Sequence, residues 1–183
     1  KQNFENCFAP KNGGGIYFNV DDKLNMNSFS FSLQSCAFNN CSNGATSFDN
    51  SFENGQIELF FCNFSNNTSP LHNGGAIFIF SNGTSSIYIL SCIFWNNSAI
   101  NGGSIYLNEN SSSDGTIKIS TSKFFLDEAS QSGGSLFLST YNNVNISSNN
   151  FTQTKAKQYG LVMSINLINK VILKNERKKS RQQ

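Results

Sequence analysis

The chain has 183 residues, 38% of them hydrophobic and only 13% charged, with a formal net charge of +2. That apolar content can bury one core, and two prolines with so little charge exclude an ordinary disordered chain. One histidine and no C-x-x-C pair leave little from which to build a zinc site, and no apolar run is long enough to cross a bilayer as a helix.

Taken in order, the chain is one unit copied with wear. It opens inside a copy, at Gln2-Asn3-Phe4, so no secretory leader is read at Lys1. Gly13-Gly14-Gly15-Ile16 follows, then a polar loop around Asp21, Asp22 and Asn25. The next copy runs from Phe31 and Leu33 through Cys36-Ala37-Phe38 to a shortened Asn43-Gly44-Ala45-Thr46. A cleaner one has Ile57 and Leu59, Cys62-Asn63-Phe64 and Gly74-Gly75-Ala76-Ile77. The cleanest has Ile87 and Ile89, Cys92-Ile93-Phe94 and Gly102-Gly103-Ser104-Ile105. Ile117 and Ile119, Ser122-Lys123-Phe124 and Gly133-Gly134-Ser135-Leu136 repeat it without the cysteine. Val144 and Ile146, Asn149-Asn150-Phe151 and Tyr159-Gly160-Leu161-Val162 are a decayed copy, and Ile165 to Leu173 can supply a last strand. From Phe38 onward the aligned Phe positions recur every 26 to 30 residues, a solenoid period.

Within each copy the apolar pairs alternate with period two, the mark of a strand with one buried face. The offset from the second aliphatic residue to the Cys is odd, so the chain must turn a corner between them. Three short strands and three corners per copy predict an all-β parallel β-helix of about six coils over residues 1–173. A sandwich of hairpins is the competing architecture, and equivalence at one period, rather than mirroring across turns, argues against it. Lys170, Lys174, Arg177, Lys178, Lys179 and Arg181 crowd the end, with only Glu176 opposing them. Residues 174–183 are therefore expected to be a basic, disordered tail, with a polybasic patch for anionic surfaces as the sharper alternative. Lacking the polar caps a free solenoid needs, the sequence reads as a fragment of a longer repeat protein.

Columns of equivalent residues supply the candidate sites. Two residues after the Phe stand Asn6, Asn40, Asn66 and Asn96, which predict a structural amide ladder. Cys36, Cys62 and Cys92 share a column, as do Cys7 and Cys41; stacked thiols, one or two disulfides and a metal site are the alternatives, with thiols favoured and no metal expected. In the strand after the glycines, Tyr17, Phe78, Tyr106 and Phe137 fall between inward positions, Ser47 interrupting them. They predict an outward aromatic strip, which packs under a cover, meets a protein or stacks on glycan rings. Asn82 and Asn110 are corner sequons and glycosylation candidates for a secreted eukaryotic chain.

Phe64-x-x-Asn67 with Gly74-Gly75-Ala76-Ile77, and Phe94-x-x-Asn97 with Gly102-Gly103-Ser104-Ile105, resemble the paired FxxN and GGA[ILV] repeats of polymorphic outer membrane proteins. Cys41 and Asp127 stand where that family has Asn. The resemblance implies a right-handed, single-stranded β-helix of the pectin lyase-like kind, a cell-surface or extracellular location and a role in adhesion. Enzymes share that architecture, but the acids of this chain fall in no common column, and His72 reads as a solvated loop residue. We therefore expect no catalytic residue and no cofactor. The expected function is a non-catalytic surface or secreted module contacting a protein or glycan, with a degenerate polysaccharide-cleaving enzyme or a structural spacer as alternatives. Nucleic acid is not an expected partner, and a membrane is expected to be reached only through parts outside this chain.

Overall fold

Alternation along each aliphatic segment sets the fold. Ile87 and Ile89 are fully buried while Tyr88 between them is half-exposed, and Ile57/Leu59, Ile117/Ile119 and Val144/Ile146 repeat the pattern. A computed structural model describes residues 2–10, 13–20, 28–50, 55–82, 85–110, 115–167, 171–174 and 177–179. Among them there is no helix, every ladder is parallel, and the chain winds as a β-solenoid of about five turns. Asp21, Asp22 and Asn25 lie outside the described residues.

Each sheet gathers one part of the repeat. The aliphatic sheet stacks Phe29–Gln34, Gly55–Phe60, Ser85–Leu90, Thr116–Ser120, Asn143–Ser147 and Val171–Lys174. The Phe sheet runs from Asn3–Glu5 through Ile93–Trp95 to Arg177–Lys179, and the glycine sheet from Ile16–Val20 through Ile105–Glu109 to Met163–Leu167. Register is exact in residue type: Phe64 pairs with Phe94 and Phe94 with Phe124, as Ile57 pairs with Ile87 and Ile87 with Ile117.

Three expectations need correction. Most turns have four strands, because Thr68–Ser69, Ser98–Asn101, Glu128–Ser132 and Lys155–Ala156 form a further sheet. Those stretches carry few apolar residues, yet backbone N–H and C=O groups inside a stack must pair regardless of side chain. The turns number about five rather than six, since the first and last copies are incomplete. Finally, Arg177–Lys179 of the expected disordered tail pairs with Asn150–Thr152, completing hydrogen bonds that strand edge offers to any backbone.

The corners explain the odd offset read in the sequence. Ser35, Phe61, Ser91, Thr121 and Ser148 sit before the Phe strands with φ of 53° to 59°, and Asn6, Asn40, Asn66, Asn96, Leu126 and Gln153 sit after them with φ of 54° to 59°. One left-handed residue at each end turns the strand without a long loop. The third corner uses glycine: Gly102 has φ of +61°, and a Cβ on Gly103 would fall 2.2 Å from the Gly134 carbonyl oxygen.

One continuous ring stack runs through the interior beside the aliphatic columns. Phe4, Phe38, Phe64, Phe94, Phe124 and Phe151 lie with successive centroids 4.6 to 5.1 Å apart and planes within 12°. All but Phe4 are essentially inaccessible, each contributing about 1.5–3 kcal/mol by burial.

Two substitutions test the corners. Leu126→Asn is expected to stabilise the protein by about 1 kcal/mol, because Asn tolerates the left-handed conformation that costs Leu. Gly103→Ala is expected to destabilise it by about 3 kcal/mol through backbone overlap. Denaturant midpoints of the two variants should move in opposite directions.

Candidate functional site

One residue beyond the corner Asn column, three after each Phe, the chain buries a polar ladder. The Cys41 N–H donates to Asn67 Oδ1 at 3.0 Å, the Asn67 N–H to Asn97 Oδ1 at 3.1 Å, and the Asn97 N–H to Asp127 Oδ1 at 3.1 Å. The Asn67 amide also donates to the Phe38 carbonyl and the Asn97 amide to the Phe64 carbonyl, both at 3.1 Å. Cys41, Asn67, Asn97 and Asp127 are all wholly inaccessible. An amide is both donor and acceptor, so it can pass the pattern from coil to coil. The neighbouring column behaves otherwise: Asn6, Asn40 and Asn96 are exposed at the corner, and Asn96 Nδ2 donates to Asn66 Oδ1 at 2.9 Å on the surface.

Asp127 replaces an amide with a group that accepts only when ionised. Ser135 Oγ donates to its Oδ2 at 3.1 Å and Asn97 Nδ2 to its Oδ1 at 3.3 Å. Burial nevertheless pushes its carboxyl up to about 7, against the lowering effect of bonds from Ser104, Asn97 and Ser135. Glu109 is the second buried acid, 2% exposed. Its Oε2 accepts from Thr140 Oγ1 and, at 2.6 Å, from Asn142 Nδ2, while Oε1 makes no hydrogen bond. Burial again dominates and raises it to about 7. Neither burial was singled out in the sequence reading. The signal was there: Asp127 occupies the Asn place of the FxxN motif, and Glu109 continues the inward alternation of Ile105 and Leu107.

All five cysteines are free thiols. Cys36, Cys62 and Cys92 are buried at the corner before the Phe strand, where Cys92 Sγ donates to the Leu59 carbonyl at 3.4 Å and Cys62 Sγ to the Leu33 carbonyl at 3.5 Å. In later copies the same place is polar: the Cys92 N–H donates to Ser122 Oγ, and the Ser122 N–H to Asn149 Oδ1. Burial raises the Cys41 thiol to about 11. Among the described residues no group of His, Cys, Asp or Glu is arranged to hold a metal.

Outward positions divide between two faces. On the glycine sheet Phe78, Tyr106 and Phe137 are half-buried and stacked, with centroids 5.4 and 5.1 Å apart. Tyr17 is 52% exposed and separated from that stack by Ser47, which is fully buried. On the Phe sheet, Ile93, Trp95 and Phe125 are 46%, 44% and 37% exposed, a cluster the sequence reading did not single out. Asn82 and Asn110 are both exposed, with Asn110 Nδ2 3.4 Å from Asn82 Oδ1. The His72 side chain is partly buried, and its carbonyl accepts from the Ile100 N–H.

No family profile, curated protein or solved structure matches the chain. No helix among the described residues is long and apolar enough to cross a membrane.

The buried acids fix a pH dependence. The folded chain keeps their protons at pH values where the unfolded chain has lost them, so stability should fall as pH rises from about 4 to about 7 and then level off. The loss is on the order of 4 kcal/mol at most for Asp127. Asp127→Asn should remove much of that slope and be more stable than wild type at pH 8, as read by denaturant unfolding at several pH values. In thiol titration the native protein should react at the partly exposed Cys7 alone, with all five cysteines reacting after unfolding.

Proposed function

We propose that this solenoid is a non-catalytic contact module of a cell-surface or secreted protein, acting in adhesion to a protein or glycan. The observation that carries the reading is the outward aromatic stack of Phe78, Tyr106 and Phe137 on a parallel sheet. Such a rigid face suits contact, since its rings are already ordered and lose little freedom on binding. The FxxN and GGA[ILV] resemblance, with the right-handed pectin lyase-like fold it implies, supports the same location and role.

Chemistry is disfavoured by where the unusual carboxyls lie. Asp127 and Glu109 are sealed inside, one within the amide ladder and the other against Thr140 and Asn142. Neither can meet a polymer on the outer surface, so both are read as structural. In a secreted chain the exposed Asn82 and Asn110 would be the first glycan acceptors considered.

Binding of the intact chain to cultured cells tests the proposal. Saturable binding is expected, weakened about tenfold by Tyr106→Ser, which removes the middle ring of the stack. Absence of saturable binding would count against the contact role, and release of reducing ends from pectin-like polymers would favour the enzyme reading instead.

A further inference from the structure

The place that holds Asn67, Asn97 and Asp127 in later turns holds a thiol in two earlier ones, Cys7 and Cys41. Backbone pairing sets these two in register. The Asn6 N–H donates to the Asn39 carbonyl at 3.0 Å, the Ser42 N–H to the Cys7 carbonyl at 2.8 Å, and Phe8 bridges Ser42. Paired parallel strands stand about 4.8 Å apart. That spacing lies within the roughly 4.4–6.8 Å between Cα atoms over which a disulfide closes.

The side chains take the same course. Cys7 Sγ lies 3.7 Å from the Glu5 carbonyl oxygen and Cys41 Sγ 3.7 Å from that of Asn39, two residues back in each case. Cys41 Sγ also lies 3.9 Å from the Phe4 carbonyl oxygen, so it leans toward the turn that carries Cys7. Such thiol contacts are weak, and side-chain rotation can exchange them for a covalent link. The polar ladder is not disturbed, because the Cys41 N–H, not its sulfur, donates to Asn67 Oδ1.

Access separates this pair from the other thiol column. Cys36, Cys62 and Cys92 stack at the same spacing, but none is more than 6% exposed. Cys7 alone is partly open to solvent, beside the sealed Cys41. A soluble oxidant can therefore begin at this pair and at no other.

We propose that Cys7 and Cys41 are a redox clasp, joined as a disulfide in an oxidising medium and open as thiols in a reducing one. A small disulfide such as oxidised glutathione is the oxidant. The Cys7 thiolate attacks it and displaces one glutathione thiolate; the Cys41 thiolate then attacks Cys7 Sγ and displaces the second. Two electrons and the two thiol protons end on the two reduced glutathiones. Burial above all, with the Cys7 thiol adding to it, raises the Cys41 thiol to about 11, so the second attack is the slow one. The bond closes the loop that holds Ile16–Val20 and Phe29–Gln34, fastening two turns against unfolding. The clasp uses no part of the contact role proposed above, and the two stand or fall separately.

The intact protein, equilibrated in glutathione buffers from reducing to oxidising and then alkylated, supplies the test. Peptide mapping should find a Cys7–Cys41 crosslink and the loss of two hydrogens. Reactive thiols should fall from one to none in the native protein, and from five to three after unfolding. The oxidised form should unfold at a urea midpoint about 1 M above the reduced form, and Cys7→Ser should erase that difference. A lasting glutathione adduct at Cys7 without a crosslink, or no oxidation in the most oxidising buffer, overturns the clasp. So does a disulfide through Cys36, Cys62 or Cys92, a link between two chains through Cys7, or a crosslink that leaves the midpoint unchanged.

Discussion

Parallel pairing at one strand spacing places every side chain above its own equivalent, and this self-superposition governs the molecule. A residue type can occupy an inward column only if it packs against copies of itself. Phe does so by ring stacking, Ile and Leu by aliphatic contact, and Asn by donating one way and accepting the other. Asp and Glu cannot, because an ionised carboxylate only accepts. Each is found beside hydroxyl and amide donors: Ser135 and Asn97 for Asp127, Thr140 and Asn142 for Glu109. Even so, desolvation outweighs those donors and favours the protonated acids.

What could be read in the sequence follows from the same rule. Columns of Phe and Ile are legible because stacking demands the same large apolar letter in each turn. The fourth sheet was not, since Thr68, Ser98 and Glu128 stack through the backbone and need no common side chain. The column read in the sequence bonds coil to coil at Asn66 and Asn96, and a second, buried ladder lies one place further on. Asn66-Asn67 and Asn96-Asn97 are doublets, and which member faces inward depends on the left-handed corner at the first, a conformation the letters do not display. Glu109 is hard to read in the sequence because a charged residue is rarely buried, yet the alternation of Ile105 and Leu107 carries it inside.

The outer surface obeys weaker constraints, so it differs between faces. Rings on the glycine sheet recur in three successive turns and cover one another. On the Phe sheet the outward letters change from Ser65 to Trp95, Phe125 and Thr152 in register, so an apolar island stands within a polar strip. The inward face of that same sheet is the most uniform part of the protein. Conformity inside and variety outside on one strand allow surface chemistry to change without disturbing the core.

The winding also has a mechanical consequence. The hydrogen bonds that join turns run along the rod's axis, so a pull on its two ends loads them a coil at a time. Each turn that peels away frees 26 to 30 residues, about 90 Å of extended chain. Under tension such a tether should lengthen in a staircase rather than snap, and single-molecule stretching would resolve the height of each step.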